Sequence, residues 1–407
     1  MPTLRARPLL TLLPSLALFL ATITACDNGG TAADSSTSGP GELTTLPAEP
    51  TTTLSATTTS QGSGSLEVVD GEPFPEARCA ANRAAGPIVY LSGFDFAATA
   101  SIVDVLVAHE RGYYDELCLE VDIRPSFSVD NYPLVAANEA QFASAGSFSE
   151  MVDFAGANDA GFVALGVEGR TGIDALLVRR GVASTLDDLK GSTIGVKGAV
   201  TTSVRAMLAA AGLYEGDGYE TVLLDGFDPL AHIAAPGIAG FPVYKSNEPA
   251  RLREAGVEFD LFDPSDYGIP GSFGVLYTNT TFLAEHPTAA QDFMRATLKG
   301  LRYAVDNPDD ASAVAVEAIN SGDNALFLTA DGEAARWAVD AELLLERVSD
   351  SEPLGLPILE LLTAEVADYA AVGLFGGTAP DIASMVDASV VAGVYNDDGT
   401  IIWPSGT

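Results

Sequence analysis

Hydrophobic and polar positions follow two periods from Gly86 onward. Residues 88–91 form a continuous apolar run, residues 98–111 carry apolar side chains at helical spacing, and residues 119–123 alternate with a period of two. Further along, residues 132–139 are predicted as a helix, and 141–145 and 162–167 as strands. Strands that alternate with helices predict an α/β fold, in which a parallel sheet carries helices on both faces.

A second alternating unit begins near Thr185. Its predicted elements are a helical turn at 186–191, a strand at 193–196, a helix capped by Thr201 or Thr202, and strands at 221–224 and 258–262. The chain then returns to the first unit with a strand at 274–277. Four predicted helices follow, at 287–306, 309–319, 331–349 and 357–372. These patterns predict lobe I from residues 80–177 and 274–407, and lobe II from residues 178–273.

The first 25 residues are typical of a signal peptide. Arg5 and Arg7 precede an apolar run from Leu9 to Ile23, which is shorter than a membrane-spanning helix requires. The run ends in Ile23-Thr24-Ala25-Cys26, which resembles the bacterial lipobox. Cys26 is therefore predicted to be lipidated and to hold the protein on the extracytoplasmic face of the cell membrane. An ordinary signal peptide with an incidental cysteine is the alternative.

Residues 26–75 are rich in Ser, Thr, Gly and Pro and show no hydrophobic period. Such a composition has too little apolar surface to fold, and it predicts a flexible tether.

Charge and composition limit the partners and the chemistry. The chain has 20 Lys and Arg against 56 Asp and Glu, a formal net charge of −36, which excludes nucleic acid as a partner and leaves the lipid anchor as the membrane contact. His109, His232 and His286 have no metal-ligand spacing, and no nucleophile motif is present. We therefore expect no metal, no cofactor and no enzymatic activity.

Cys79 and Cys118 remain once Cys26 is set aside. In an oxidising compartment an even pair predicts one disulfide. The two residues lie shortly before the first and second strands, which should be neighbours in a parallel sheet and so bring the cysteines together. Two free thiols are the alternative.

Four stretches together resemble one family. They are Gly112 to Val121, Leu186-Asp187-Asp188-Leu189-Lys190-Gly191 with the strand that follows it, Tyr244-Lys245-Ser246-Asn247-Glu248-Pro249, and Arg295 to Pro308. The first two resemble segments of the periplasmic solute-binding proteins of ABC transporters. The last two are similar to the subgroup that binds thiamine pyrimidine precursors, which is related to the aliphatic-sulfonate binders. The resemblance covers nearly all of the chain after the tether.

The resemblance implies a type II periplasmic-binding-protein fold, with two parallel-sheet α/β lobes joined by two crossing strands. A small-molecule ligand lies between the lobes in such proteins, and an ABC transporter permease is the protein partner. The expected protein is a monomeric lipoprotein that captures a small heterocycle, such as a thiamine pyrimidine precursor.

The candidate ligand-binding residues lie at strand ends and in the Asn-Glu-Pro motif. The loops after the strands supply Asp95, Phe96, Phe127, Ser147 and Thr201, because ligands of α/β sheets lie beyond the carboxyl ends of strands. The motif supplies Tyr244, Asn247 and Glu248. Glu248 is predicted to accept hydrogen bonds from a ring amino group, and Tyr244 and the phenylalanines to stack on the ring. Alternatively, Glu248 caps the helix that Pro249 opens.

Other ligands and one other class remain open. A sulfonate or taurine binder requires arginine in the cleft, for which Arg170, Arg205 and Arg251 are the candidates. A riboflavin binder looks similar in the Asn-Glu-Pro motif. The alternative of another class is an enzyme that makes the thiamine pyrimidine, which consumes its own histidine and uses a cysteine cluster that this chain lacks.

Overall fold

The computed structural model describes residues 64–322 and 329–405 of the chain. The predicted signal peptide, Cys26 and most of the predicted tether therefore lie outside the described residues. Within the described ranges, no helix combines the length and the apolar character that crossing a bilayer requires.

Eleven strands are found in the described residues: β1 Ile88–Leu91, β2 Val121–Arg124, β3 Phe142–Ala145, β4 Phe162–Gly169, β5 Asp174–Arg179, β6 Ser192–Val196, β7 Tyr214–Glu215, β8 Gly218–Leu223, β9 Gly240–Tyr244, β10 Phe259–Phe262 and β11 Phe273–Asn279. They form a sheet of five strands in lobe I and a sheet of six in lobe II. The structure thus has the two-lobe α/β architecture predicted from the sequence.

The α-helices in the described residues are α1 Glu76–Ala84, α2 Val103–Glu110, α3 Tyr113–Glu116, α4 Ser128–Ala136, α5 Phe148–Asn158, α6 Thr202–Ala210, α7 Pro229–Ala234, α8 Glu248–Glu254, α9 Thr280–Glu285, α10 Pro287–Asp306, α11 Pro308–Ser321, α12 Ala330–Leu344, α13 Leu359–Ala371 and α14 Ala388–Ala392. Short 3₁₀ turns lie at Leu186–Leu189, Pro264–Tyr267 and Leu374–Gly377.

Both sheets combine parallel pairs, which the sequence predicts, with antiparallel pairs, which it does not. In lobe I the order is β2-β1-β3-β11-β4; β1 pairs in parallel with β2 and β3, while β11 is antiparallel to β3 and β4. In lobe II the order is β10-β5-β9-β6-β8-β7, and β5 is antiparallel to both of its neighbours. The antiparallel strands are those that enter a sheet directly from the other lobe, without a helical crossover to reverse the chain.

The chain passes between the lobes twice, from β4 to β5 and from β10 to β11. The two passages meet at Gly172 and Gly271, where a Cβ on Gly271 would lie 2.7 Å from the Gly172 Cα. Glycine therefore allows the two connections to touch. The boundary predicted between residues 177 and 178 falls inside β5, because the buried run Ala175–Val178 belongs to the second sheet.

The lobe I core forms around α10, whose predicted span of 287–306 is confirmed. Its Phe293 stacks on Phe142 of β3 with ring centroids 4.0 Å apart. Gly300 lets α2 approach closely, since a Cβ there would lie 2.2 Å from the Asp104 carbonyl oxygen. The lobe I strands and their loops are thus held against one long, buried helix.

Cys79 of α1 and Cys118 before β2 form a disulfide, with Cα atoms 5.2 Å apart. Cys118 adopts a left-handed backbone conformation, with φ of 59°. The bridge closes α1 onto the edge of the lobe I sheet, beside strand β2.

Candidate functional site

A cavity of about 240 Å³ lies between the lobes, at the carboxyl ends of the strands. The residues of lobe I that line it are Gly93, Phe94, Thr99, Phe127, Ser128, Val129 and Arg336; those of lobe II are Lys197, Ala199, Thr201, Phe227, Pro242, Val243, Tyr244, Ser246, Asn247 and Glu248. Both lobes therefore contribute to one site, at the position where α/β sheets bind ligands.

Three phenylalanine rings from the two lobes form an aromatic cluster that lines the cavity. Phe127 of lobe I and Phe227 of lobe II have ring centroids 6.0 Å apart and planes within 7° of parallel. Phe94 meets both rings edge-on, at 5.7 and 6.0 Å. The three rings therefore contact one another across the cleft and give the cavity an aromatic surface on which a flat ligand can pack.

A charged pair lies beside the aromatic walls. The Lys197 ammonium donates to Glu248 Oε1 at 3.0 Å, and the Tyr244 backbone N–H donates to Glu248 Oε2 at 3.0 Å. Lys197 also lies over the Phe227 ring, 5.0 Å from its centroid. The Glu248 side chain is only 7% exposed, while Lys197 remains in contact with water, and the two charges cancel locally.

Glu248 retains acceptor capacity for a ligand. An ionised carboxylate offers about four acceptor positions, and the protein uses two of them here. Glu248 begins α8, but the backbone N–H that it accepts belongs to Tyr244, before the helix. The carboxylate therefore fixes the end of β9 and does not cap α8.

Hydroxyl and backbone groups of α6 line the same cavity. Thr201 lies at the N-cap position of α6, and its Oγ1 is buried without a hydrogen-bond partner in the protein. An unpaired buried hydroxyl costs free energy, so a bound ligand that pairs with it gains affinity.

Two buried carboxyl groups, those of Glu150 and Asp174, lie behind the residues that line the cavity. Tyr244 reaches toward lobe I so closely that a Cβ on Gly146 would lie 2.8 Å from its hydroxyl oxygen. Burial raises the pKa of Glu150, which accepts from the Ser128 hydroxyl at 2.9 Å. Burial also raises the pKa of Asp174 to about 7, although Ser203 donates to its carboxylate at 2.9 Å.

Asp174 makes stability depend on pH. Its carboxyl holds its proton up to about pH 7 in the native protein but loses it near the usual 3.8 when unfolded, so the native state binds more protons between these values. We expect stability to fall as the pH rises through this window, by at most about 1.4 kcal/mol per pH unit. Chemical denaturation at several pH values should show a flatter profile for Asp174→Asn. The exposed Asp187→Asn should retain the wild-type slope, and equal slopes in all three proteins would contradict the assignment.

The structure brings five of the eight predicted ligand residues to the cavity: Phe127, Thr201, Tyr244, Asn247 and Glu248. Asp95, Phe96 and Ser147 do not line it. The Asp95 backbone bends with φ of 42° and donates to the Ser126 carbonyl, which turns Phe96 onto the lobe I core. Ser147 caps α5 by accepting from the Glu150 backbone N–H at 3.2 Å.

Sequence reasoning missed Lys197, Phe227 and Arg336. Lys197 directly follows β6, and Phe227 follows β8, so the rule that ligands lie beyond strand ends identifies both positions. Arg336 lies in the middle of α12, and no local sequence signal points to the cleft.

The three arginines considered for a sulfonate lie elsewhere. Arg170 donates to the carbonyl oxygens of Arg347 and Pro353 in the C-terminal segment. Arg251 pairs with Glu254 on α8, and Arg205 faces a separate cavity beside α5 and the 3₁₀ turn at Leu374–Gly377.

The two α/β lobes with their shared cleft define a protein of the periplasmic-binding-protein fold. Solved structures of known binding proteins share this fold. The alkanesulfonate-binding protein SsuA from Xanthomonas axonopodis pv. citri has a TM-score of 0.56 at 14% identity, covering 74% of this chain and 98% of that one. The nitrate-binding protein NrtA from Synechocystis PCC 6803 has a TM-score of 0.53 at 12% identity, covering 75% and 86%.

Sequence comparison assigns the family. Residues 99–311, about half of the chain, match the NMT1/THI5-like family, and the chain belongs to it. The riboflavin-binding protein RibY of Chloroflexus aurantiacus is 32% identical over 139 residues, which cover 33% of this chain and 39% of the relative. The formylaminopyrimidine-binding protein of Halalkalibacterium halodurans is 31% identical over 214 residues, covering 50% and 63%. The matched region thus spans less than two thirds of either relative.

Proposed function

We propose that this protein is the extracytoplasmic ligand-capturing lipoprotein of an ABC importer, and that its ligand is a small, neutral, planar heterocycle of the aminopyrimidine type. The observation that carries the proposal is the cleft itself. Parallel Phe127 and Phe227 rings face each other from the two lobes, beside a Lys197–Glu248 pair whose charges cancel.

The polar groups of the cleft match the edge of such a ring. Glu248 accepts from a ring amino group with its remaining lone pairs, as acidic side chains accept from amino groups of bases. The unpartnered Thr201 hydroxyl and the Lys197 ammonium serve ring nitrogens or an attached oxygen. Stacking on the phenylalanine faces contributes about 1–3 kcal/mol per aromatic contact, by analogy with bases.

Cavity size and charge favour an aminopyrimidine ligand over riboflavin, a sulfonate and the enzymatic alternative. A volume of about 240 Å³ suits one ring with substituents better than the three fused rings of riboflavin. A sulfonate needs an uncompensated cation, but Lys197 pairs with Glu248, and Arg336 pairs with Glu333 at 3.0 Å. A pyrimidine-making enzyme that consumes its histidine needs that residue at the ligand, and no histidine lines the cavity within the described ranges.

Capture then proceeds by closure. Each lobe supplies part of the contacts, so the ligand binds the closed form better than the open form and shifts the population toward it. A permease reads the closed form as loaded, and lipidation of Cys26 together with the tether holds the protein within reach of that permease.

Glu248→Gln tests the proposed ligand edge. The amide turns one acceptor into a donor that faces the donors of the ligand, a mismatch of about 1–3 kcal/mol, or about ten- to hundredfold in affinity. Calorimetric titration with formylaminopyrimidine measures the loss. Glu254→Gln, an exposed substitution at the other end of α8, should bind as wild type does. Taurine binding that Glu248→Gln leaves intact would overturn the assignment.

A further inference from the structure

One face of α12 is charged and yet buried. Glu333, Arg336 and Asp340 lie three and four residues apart, which places them on the same side of the helix, and each is at most 2% exposed. Burial of three charged groups is costly unless each is held by specific partners, so this face, termed here the latch face, points to a defined interaction.

The latch face hydrogen-bonds the ligand loop of lobe I, residues 98–100, in which Thr99 lines the cavity. Glu333 Oε2 accepts from the Ala98 backbone N–H at 3.0 Å. Asp340 Oδ2 accepts from the Ala100 backbone N–H at 2.9 Å and from the Thr99 hydroxyl. These bonds explain why α2 begins at Val103 and not at Ala98 as predicted, since the loop backbone donates to α12 and not to a helix of its own.

The latch face also contacts lobe II. Arg336 Nη2 donates to the Asn247 side-chain oxygen at 2.5 Å, while Nη1 donates to Glu333 at 3.0 Å. A single helix of lobe I therefore contacts both its own ligand loop and the Asn-Glu-Pro motif of the opposite lobe.

We propose that Arg336 is a positioning residue that latches the closed state, through its bond to Asn247. Because this contact joins one lobe to the other, it exists only when the lobes are together, and it stabilises closure whichever ligand is bound. The proposal rests on the proposed function for its biological meaning, but the lobe equilibrium that it describes is measurable without any ligand.

The expected effect is a shift toward the open form. Loss of a hydrogen bond to a charged group corresponds to about a ten- to hundredfold change in the ratio of closed to open protein. Asn247→Ala removes the acceptor and leaves the Arg336–Glu333 pair intact. Arg336→Lys keeps a cation beside Glu333 but lacks the fork that reaches both partners.

Pulsed electron paramagnetic resonance on ligand-free protein tests this directly. Spin labels at Asp130→Cys and Leu223→Cys, exposed positions on lobes I and II, report the width of the cleft. We expect Asn247→Ala and Arg336→Lys each to populate longer distances, and the double variant to add little to either single one. Arg302→Lys, on the exposed face of α10, should match wild type.

Unchanged distance distributions in Asn247→Ala would overturn the latch, and so would effects that simply add in the double variant. If Arg336→Lys fails to fold, Asn247→Ala decides the question alone, because it lies in a loop of lobe II outside the α12 core. If formylaminopyrimidine fails to bind wild type while the distances still shift, the proposed function fails and the latch stands. If it binds and no distance shifts, the latch alone fails.

Discussion

Asp292→Ala is expected to destabilise the protein by about 3–5 kcal/mol, the cost of breaking a buried ionic cluster. The Asp292 carboxylate lies inside lobe I and is fully buried on α10. It accepts from Arg78 Nε at 2.6 Å and Nη2 at 2.9 Å, from Asn82 at 2.8 Å and from Arg295 at 3.1 Å. Its removal leaves two buried guanidinium groups without their shared counter-charge.

This cluster is also what attaches α1 to α10. Burial lowers the pKa of Arg295, and the attraction of the nearby Asp292 carboxylate raises it. The carboxylate therefore reduces the free-energy cost of burying the charged arginine. Urea unfolding of the wild type and of Asp292→Ala measures the difference in their free energies of unfolding. Asp306→Ala, which removes an exposed partner of Arg302 on the same helix, should change stability by less than about 0.5 kcal/mol. Similar losses in both variants would contradict the cluster's role.

Phe127→Ala combined with Phe227→Ala should weaken heterocycle binding by at least about thirtyfold, since each stacking face contributes about 1–3 kcal/mol. The two rings belong to different lobes and lie parallel with centroids 6.0 Å apart, so together they form one aromatic surface on which a ligand ring packs. Each single variant should lose part of this affinity.

Calorimetric titration with formylaminopyrimidine measures these losses. Tyr267→Ala, an exposed aromatic residue outside the cavity, serves as the matched control and should leave affinity unchanged. A double variant that binds within about threefold of wild type, or about 0.7 kcal/mol, would show that the ligand does not pack on these rings.

The hydrophobic periodicity predicts the two-lobe architecture. It does not predict the direction of the strands that enter a sheet from the other lobe. The alternating pattern correctly indicated α/β lobes, and the amphipathic α10 was predicted with its observed bounds. The direction of β5 and β11 could not be read from their apolar runs, because a buried strand looks alike in parallel and antiparallel pairing. Which pairing forms depends on the path of the chain between lobes.

The site was predictable to the extent that it follows strand ends and a motif. Tyr244, Asn247 and Glu248 line the cleft together, because the motif spans the end of β9 and the start of α8. Phe96 packs on the lobe I core outside this cavity, because the left-handed backbone at Asp95 turns the loop there. Arg336 and Asn247 meet across 89 positions of sequence, and only the closed arrangement of the lobes reveals that pair.

Calorimetric titration of the wild-type protein with formylaminopyrimidine, riboflavin and taurine tests the central claim most directly. We expect one saturable site for formylaminopyrimidine, with a negative heat-capacity change because closure buries the phenylalanine faces. We also expect weaker binding of riboflavin, whose rings exceed the cavity, and no binding of taurine. Saturable taurine binding without binding of either heterocycle would contradict the claim that the cleft captures a neutral planar ring.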